Sequence, residues 1–406
     1  MTIHQRLAEL ATLGATPAGI DRPLFSAPER AARERFAGWA RETGLHVEQD
    51  RAGNVFARLD GREAGPPVQT GSHLDTVRNG GAYDGAYGVV GGLAALERIA
   101  ASDEPPRRAL EVVAWAGEEG SRFPLGCLGS SAYAGLTPYD EIAVLVADDG
   151  ETFASAQCGP NGLLDGVPVR DGFPLPLAYV ELHIEQGPVL EAHRVRLGVV
   201  TAIAGQRRMR LTVDGTPGHA GTIPMTQRAD ALCAASEIVL AVEQAAHNAG
   251  DAVATVGYLV VEPNQTNIVP GHVTLRIDAR SVDDARVLAI ERHIRGRARE
   301  ISAARGVRIK LTTTEVRAAV PMEPQMQSLV RAACLALEPG AIELPSGAGH
   351  DAMCIARIAP AAMIFVPSIG GQSHVGTERT APEDLELGVE ALTAVLIAAA
   401  QAPPTR

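Results

Sequence analysis

The sequence predicts an α/β protein, a mixed and mainly parallel sheet flanked by helices, carrying an inserted α+β domain of ferredoxin-like order. Three observations support this. Short apolar strands alternate with helical patterns from residue 1 to about 207 and again from about 319. Between about 208 and 318 the order changes to strand, helix, strand, strand, helix, strand. At 406 residues the chain is also longer than one core ordinarily serves. The expected organisation is one domain from residues 1–207 and 319–406, with residues 208–318 inserted into it.

In chain order, a helix is expected near Ala27 to Thr43, a strand at Val55 to Leu59, a helix from about Gly85 to Ser102 and a strand at Leu110 to Ala116. In the second helix Val89, Leu93, Leu96 and Ala100 recur at helical spacing and form a core-facing stripe. The insert reads as strand Met209 to Asp214, helix Gln227 to His247, strand Ala252 to Val261, strand His272 to Ser281, helix Asp283 to Arg305 and strand Val307 to Val316. Met209, Leu211 and Val213 alternate onto one face, as do Val273, Leu275 and Ile277, so one side of this sheet should pack on helices. The apolar run Ala361 to Val366 and a helix near Leu385 to Ala400 close the α/β pattern.

Hydrophobic residues at 46% and charged residues at 21% are those of a chain that folds throughout. With 36 Lys and Arg against 48 Asp and Glu, a formal charge of -12, neither a nucleic-acid nor an anionic-membrane partner is expected. Five cysteines (Cys127, Cys158, Cys233, Cys334 and Cys354) form no CxxC pair and suggest neither a disulfide framework nor a thiolate zinc site. The N-terminal MTIHQRLAEL lacks a signal-peptide pattern and no run of 18 apolar residues follows, so the expected location is the cytoplasm.

Oxygen and nitrogen donors cluster beside strand ends and glycine-rich turns: His73 in GSHLDT, Asp84 in GGAYDGAYG, Glu118 and Glu119 in WAGEEGSRF, His183 in ELHIEQG and His374 in GGQSHVG. Ligands of open α/β sheets gather at the carboxyl ends of strands. Imidazoles and carboxylates without thiolates suit Zn or Mn, with Co or Ni also compatible, and a carboxylate can bridge two ions. Two metals about 3.5 to 4 Å apart can share and deprotonate a water. Plainer readings stand beside these. Asp84 can cap the following helix, His73 and His374 can be core histidines, Glu118 and Glu119 a solvated loop pair, and Tyr179, Glu181 and His183 the polar side of a strand.

The segments GSHLDTVRNGGAYDGAYGVV, GEEGSRFPLGCLGS, VELHIEQGPVLE, AGQRRMRLTVDGTPGHAGTIPM, NQTNIVPG, SGAGHDAM and MIFVPSIGGQSH run in order from residue 71 to 374. They resemble the allantoate amidohydrolase and N-carbamoyl-L-amino-acid hydrolase family. The resemblance implies a metallopeptidase-like catalytic domain in which His73, Asp84, Glu119, His183 and His374 hold two divalent metals, with Asp84 bridging and Glu118 as general base. It further implies that Gln206, His219, Asn267 and Arg280 contact the substrate carboxylate and scissile carbonyl, with His219 catalytic as well, and that His350 lines the pocket. His219 would serve the neighbouring subunit's active site, making the protein a homodimer with a dimerisation or lid insert. Where the family usually has Asn-Pro after the last histidine, this chain has Val375-Gly376, and Gln372 replaces a common apolar residue.

Arg122 to Pro124, Gly205 to Arg208 and Val320 to Met322 look more like allantoate amidohydrolase than carbamoylase. The expected reaction is conversion of allantoate to ureidoglycine, ammonia and carbon dioxide. Alternatives are hydrolysis of an N-carbamoyl-L-amino acid or 3-ureidopropionate, a dipeptidase or N-acyl-amino-acid deacylase, and a noncatalytic metal- or metabolite-binding protein.

Overall fold

A computed structural model describes residues 1–102, 105–170, 172 and 174–401. Its main elements are α1 (Ile3–Thr12), α2 (Ala27–Glu42), β1 (His46–Gln49), β2 (Val55–Leu59), β3 (Val68–His73), α3 (Ala86–Ala100), β4 (Leu110–Trp115), β5 (Ala178–Ile184) and β6 (Gly198–Ile203). There follow β7 (Gly205–Asp214), α4 (Ala231–Asn248), β8 (Val253–Glu262), β9 (His272–Ser281), α5 (Asp284–Arg305) and β10 (Arg308–Arg317). The chain ends with α6 (Pro324–Leu337), β11 (Ile342–Ser346), β12 (Ala361–Val366) and α7 (Pro382–Gln401). It divides into two compact units, Met1–Thr201 with Met322–Arg406, and Ala202–Pro321.

In the first unit the sheet runs β6–β12–β5–β3–β4–β2–β1, with β11 beside β6. The central pairs β12 with β5, β5 with β3 and β3 with β4 are parallel, while β6, β2 and β1 join antiparallel at the edges. This is the mixed, mainly parallel sheet expected. Every residue of β3, β4, β5 and β12 is buried, because helices cover both faces; that is why LEVVAW and AAMIFV read as continuous rather than alternating runs. Tyr179, Glu181 and His183 therefore lie on no solvated strand face. Helix α3 packs on α7 and the sheet, with Leu93, Leu96, Val389 and Leu392 in one core. The carboxyl ends of β3, β4, β5 and β12 lead directly into the loops carrying the candidate donors. No helix among the described residues is long and apolar enough to cross a membrane.

The second unit is a four-stranded antiparallel sheet, β8–β9–β7–β10, the ferredoxin-like arrangement. Met209, Leu211, Val213, Leu275 and Ile277 pack with Ile238, Val242, Ile290 and Ile294 of α4 and α5. Asp230 and Asp283 cap the two helices through backbone N–H groups. Strand β7 starts at Gly205, earlier than the hydrophobic alternation indicates, because its first residues, Gln206 to Arg208, are polar. Helix α4 starts at Ala231 rather than Gln227, since Asp230 accepts from Leu232 and Cys233 and sets the helix start there.

Candidate metal centre

His73, Asp84, Glu118, Glu119, His183 and His374, from five separated segments of the first unit, come together, and the two oxygens of Asp84 face different partners. Oδ1 lies 3.3 Å from His183 Nε2 and 3.8 Å from His73 Nε2; Oδ2 lies 3.2 Å from His374 Nε2. Glu119 Oε2 is 3.6 Å from His374 Nε2 on the second side, and Glu118 Oε2 is 3.8 Å from His73 Nε2. Of three donor groups close enough to hold a cation among the described residues, two contain Asp84, His73 with Asp84 and His183, and Asp84 with Glu119 and His374; the third is Glu181 with His183 and His350.

The local chain explains how each donor is aimed. His73 Nδ1 faces the Asp75 carbonyl at 3.0 Å and His183 Nδ1 the Ile184 carbonyl at 2.8 Å, which turns both Nε2 atoms toward Asp84. Asp75 accepts the backbone N–H groups of Glu118 at 3.1 Å and Glu119 at 3.2 Å, holding that loop across the end of β3. Gly85 follows Asp84 with φ of +64°, and a Cβ there would lie 2.4 Å from the His73 ring, so the turn is closed to larger residues. Asp84 does not cap α3: the cap residue is Gly85 and no side-chain oxygen bonds the first turn.

The electrostatics suit a cation. Burial, reinforced by Asp351, pushes the Glu118 carboxyl well above its ordinary range; burial, then Asp84 and Glu118, does the same to Glu119. Burial lowers His73 to about 4, only partly offset by Asp84. Burial also disfavours charge on His183, but Asp84, Glu181 and the Ile184 carbonyl outweigh it and raise the group to about 9. Three carboxylates crowded into a buried pocket repel one another unless positive charge compensates them; here Asp84 draws that charge from His183 and His374, a role that bound cations would take over while the imidazoles serve as ligands. The residues fit a divalent pair. Glu181, beside His183 and His350, is already engaged, since its oxygens accept from Ser72, Tyr179 and the Ala352 N–H.

The remaining candidates fall into two groups. His350 is buried behind His183, with ring centroids 4.6 Å apart and Nε2 2.7 Å from Ser346 Oγ. In the second unit, Arg280 and Gln206 are direct cross-strand partners, and both bond Asp278. His219 sits on a two-residue strand paired with Ile268–Val269, next to Asn267, whose carbonyl accepts the Ala220 N–H.

A profile described as peptidase family M20/M25/M40 matches residues 70–398. The chain belongs to that family. Among M20 relatives, N-carbamoyl-L-amino-acid amidohydrolase from Paenarthrobacter aurescens is 37% identical over 399 residues, covering 97% of this chain and 96% of the relative. Allantoate amidohydrolase from Escherichia coli (strain K12) is 36% identical over 397 residues, at 97% and 96% coverage. A solved hydantoinase/carbamoylase family amidase from Burkholderia multivorans superposes with a TM-score of 0.91 at 37% identity, covering 99% of this chain and 98% of that one. The family resemblance carried by the motifs is upheld, and this M20 member is a hydrolase of C–N bonds other than peptide bonds.

Sequence reasoning missed several supports of the M20 site. Glu378, buried, accepts the Tyr83 and Asp84 N–H groups at 2.9 and 3.0 Å and bonds Ser373 Oγ at 2.9 Å. Gln186 Nε2 donates to Asp84 Oδ2 at 2.9 Å. The Cys127 thiol donates to Glu118 Oε1 at 3.2 Å. Only Asp75, two residues after His73, carried a usable signal, a short His-x-Asp spacing.

Proposed function

We propose that this chain hydrolyses a ureido C–N bond of a small acid, with allantoate converted to ureidoglycine, ammonia and carbon dioxide. The observation that carries the reading is the division of Asp84's two oxygens between His73 with His183 on one side and His374 with Glu119 on the other. Those five side chains would hold two divalent ions, Zn or Mn, with Co or Ni compatible with the same donors. When bound, such a pair polarises a carbonyl and acidifies a water.

The rest of the chemistry belongs to the chain. Glu118 lies at the edge of the cluster, so it takes the proton as water adds to the carbonyl carbon and returns it to the departing nitrogen as the C–N bond breaks. Arg280 and Gln206 bind the substrate carboxylate, while His219 and Asn267 act on the carbonyl, His219 from the partner in a homodimer. The five cysteines form no disulfide among the described residues, and the proposed location is the cytoplasm.

Hydrolysis of an N-carbamoyl-L-amino acid or 3-ureidopropionate is the second reading, favoured by the 37% identity to the Paenarthrobacter enzyme. Of the three segments pointing to allantoate, Arg122 weighs least. Its guanidinium bonds the Leu24 and Phe25 carbonyls and the carboxylates of Asp149 and Glu151, which makes it a structural pin. A panel of allantoate, N-carbamoyl-L-amino acids, 3-ureidopropionate and dipeptides, assayed on protein reconstituted with each metal, separates these readings. Cleavage of dipeptides without ammonia release from any ureido acid would overturn the proposal.

Two variants probe its parts. Arg280→Lys should raise KM by roughly ten-fold or more while bound metal is unchanged, because lysine lacks the planar fork. Metal loss in that variant would contradict the assignment. Gly85→Ala should displace the His73 ring and weaken divalent-metal affinity by about 10- to 100-fold, read by equilibrium dialysis, with circular dichroism unchanged.

A further inference from the structure

Two candidate substrate contacts, Arg280 and Gln206, share one acceptor. Asp278 lies two residues before Arg280 on the same face of β9 and takes Arg280 Nε on Oδ1 at 2.9 Å and Nη2 on Oδ2 at 3.1 Å. Gln206 Nε2 donates to Asp278 Oδ2 at 2.5 Å, and Arg208 Nε reaches the same oxygen at 3.3 Å. Because Arg280 and Gln206 are direct cross-strand partners, the carboxylate holds a guanidinium and an amide side by side on one sheet face.

This arrangement does more than neutralise charge. Arginine carries rotamer entropy that any ligand must remove unless the protein has already done so. A two-point bond to Asp278 fixes the guanidinium plane before a ligand arrives, and the Gln206 amide, bonded to the same carboxylate, is fixed with it. Although burial opposes ionisation of Asp278, Arg280, Gln206 and Arg208 outweigh it and hold the carboxyl below its ordinary range, so the clamp is charged near neutrality.

We propose that Asp278 is the positioning residue of a monocarboxylate subsite, orienting Arg280 and Gln206 for the acid group of the substrate. This rests on the reading of Arg280 as the carboxylate contact. The test is steady-state kinetics of Asp278→Asn, Arg280→Met and the double variant, with allantoate and N-carbamoyl-L-alanine each set beside its carboxamide. Bound metal and thermal unfolding are recorded alongside.

Asp278→Asn should raise KM for the acid about ten-fold, as expected for a lost charge-assisted bond, with kcat within about two-fold and metal content unchanged. It should also narrow the preference for acid over carboxamide. In the Arg280→Met background, Asp278→Asn should add nothing further to the change in kcat/KM, a ratio measurable without saturation. An undiminished effect of Asp278→Asn in that background would overturn the proposal, as would an unchanged KM in Asp278→Asn beside a raised one in Arg280→Met. If Arg280→Met itself leaves the acid preference intact, the carboxylate reading fails and the positioning role falls with it.

Discussion

Asp84→Ala should release bound divalent metal and abolish hydrolysis. The residue is shared by two of the candidate cation groups, so its removal deprives each of a ligand, and it leaves His73, His183 and His374 without the carboxylate that they surround. Because bound metals supply several kcal/mol of transition-state stabilisation, the loss in kcat/KM should be at least roughly a thousand-fold. Atomic emission on the purified variant checks this, with the expected stoichiometry falling from about two ions to less than one per chain. Full metal occupancy in the variant would leave the bridging role without support. The plainer alternative for Asp84, a helix cap, already lacks the hydrogen bond it needs.

Glu118→Gln should have the second-largest effect and a different signature. The amide is isosteric and cannot take a proton, so kcat should fall by about 10²- to 10⁴-fold while metal content and KM stay near those of the unaltered protein. Glu118 has the geometry for this role. It lies 3.8 Å from His73 at the margin of the cluster, receives the Cys127 thiol on Oε1, and has its backbone N–H fixed by Asp75. Undiminished turnover in this variant would remove Glu118 from the role of general base.

What the sequence revealed and what it hid follow from the range of the interactions. His73, Asp84, Glu119, His183 and His374 were legible because each sits in a short segment of glycine, histidine and acidic residues beside a strand end, and the seven segments occur in family order. The ferredoxin-like unit was legible because its strands alternate with a period of two. The supporting residues were hidden because they act on backbone groups far away in sequence. Asp75 reaches the N–H groups of Glu118 and Glu119, and Gln186 reaches Asp84, contacts no local pattern encodes. His350, read as pocket lining, lies buried against His183, with its Nε2 2.7 Å from Ser346 Oγ, a contact that no local pattern encodes. Likewise, β6 went unassigned since GVVTAI is too short to separate a strand from a buried helical turn by periodicity.

The hydrogen bond from the Asp84 N–H to Glu378 spans 294 residues. During synthesis the turn that carries the shared aspartate therefore leaves the ribosome long before its anchor exists, and β12 and the His374 loop also arrive late. Closing so long a loop costs only modestly more than closing a shorter one. Its consequence is one of timing: the Asp84 N–H cannot meet Glu378 until nearly the whole chain has been made, so the turn cannot take its final anchored form before then.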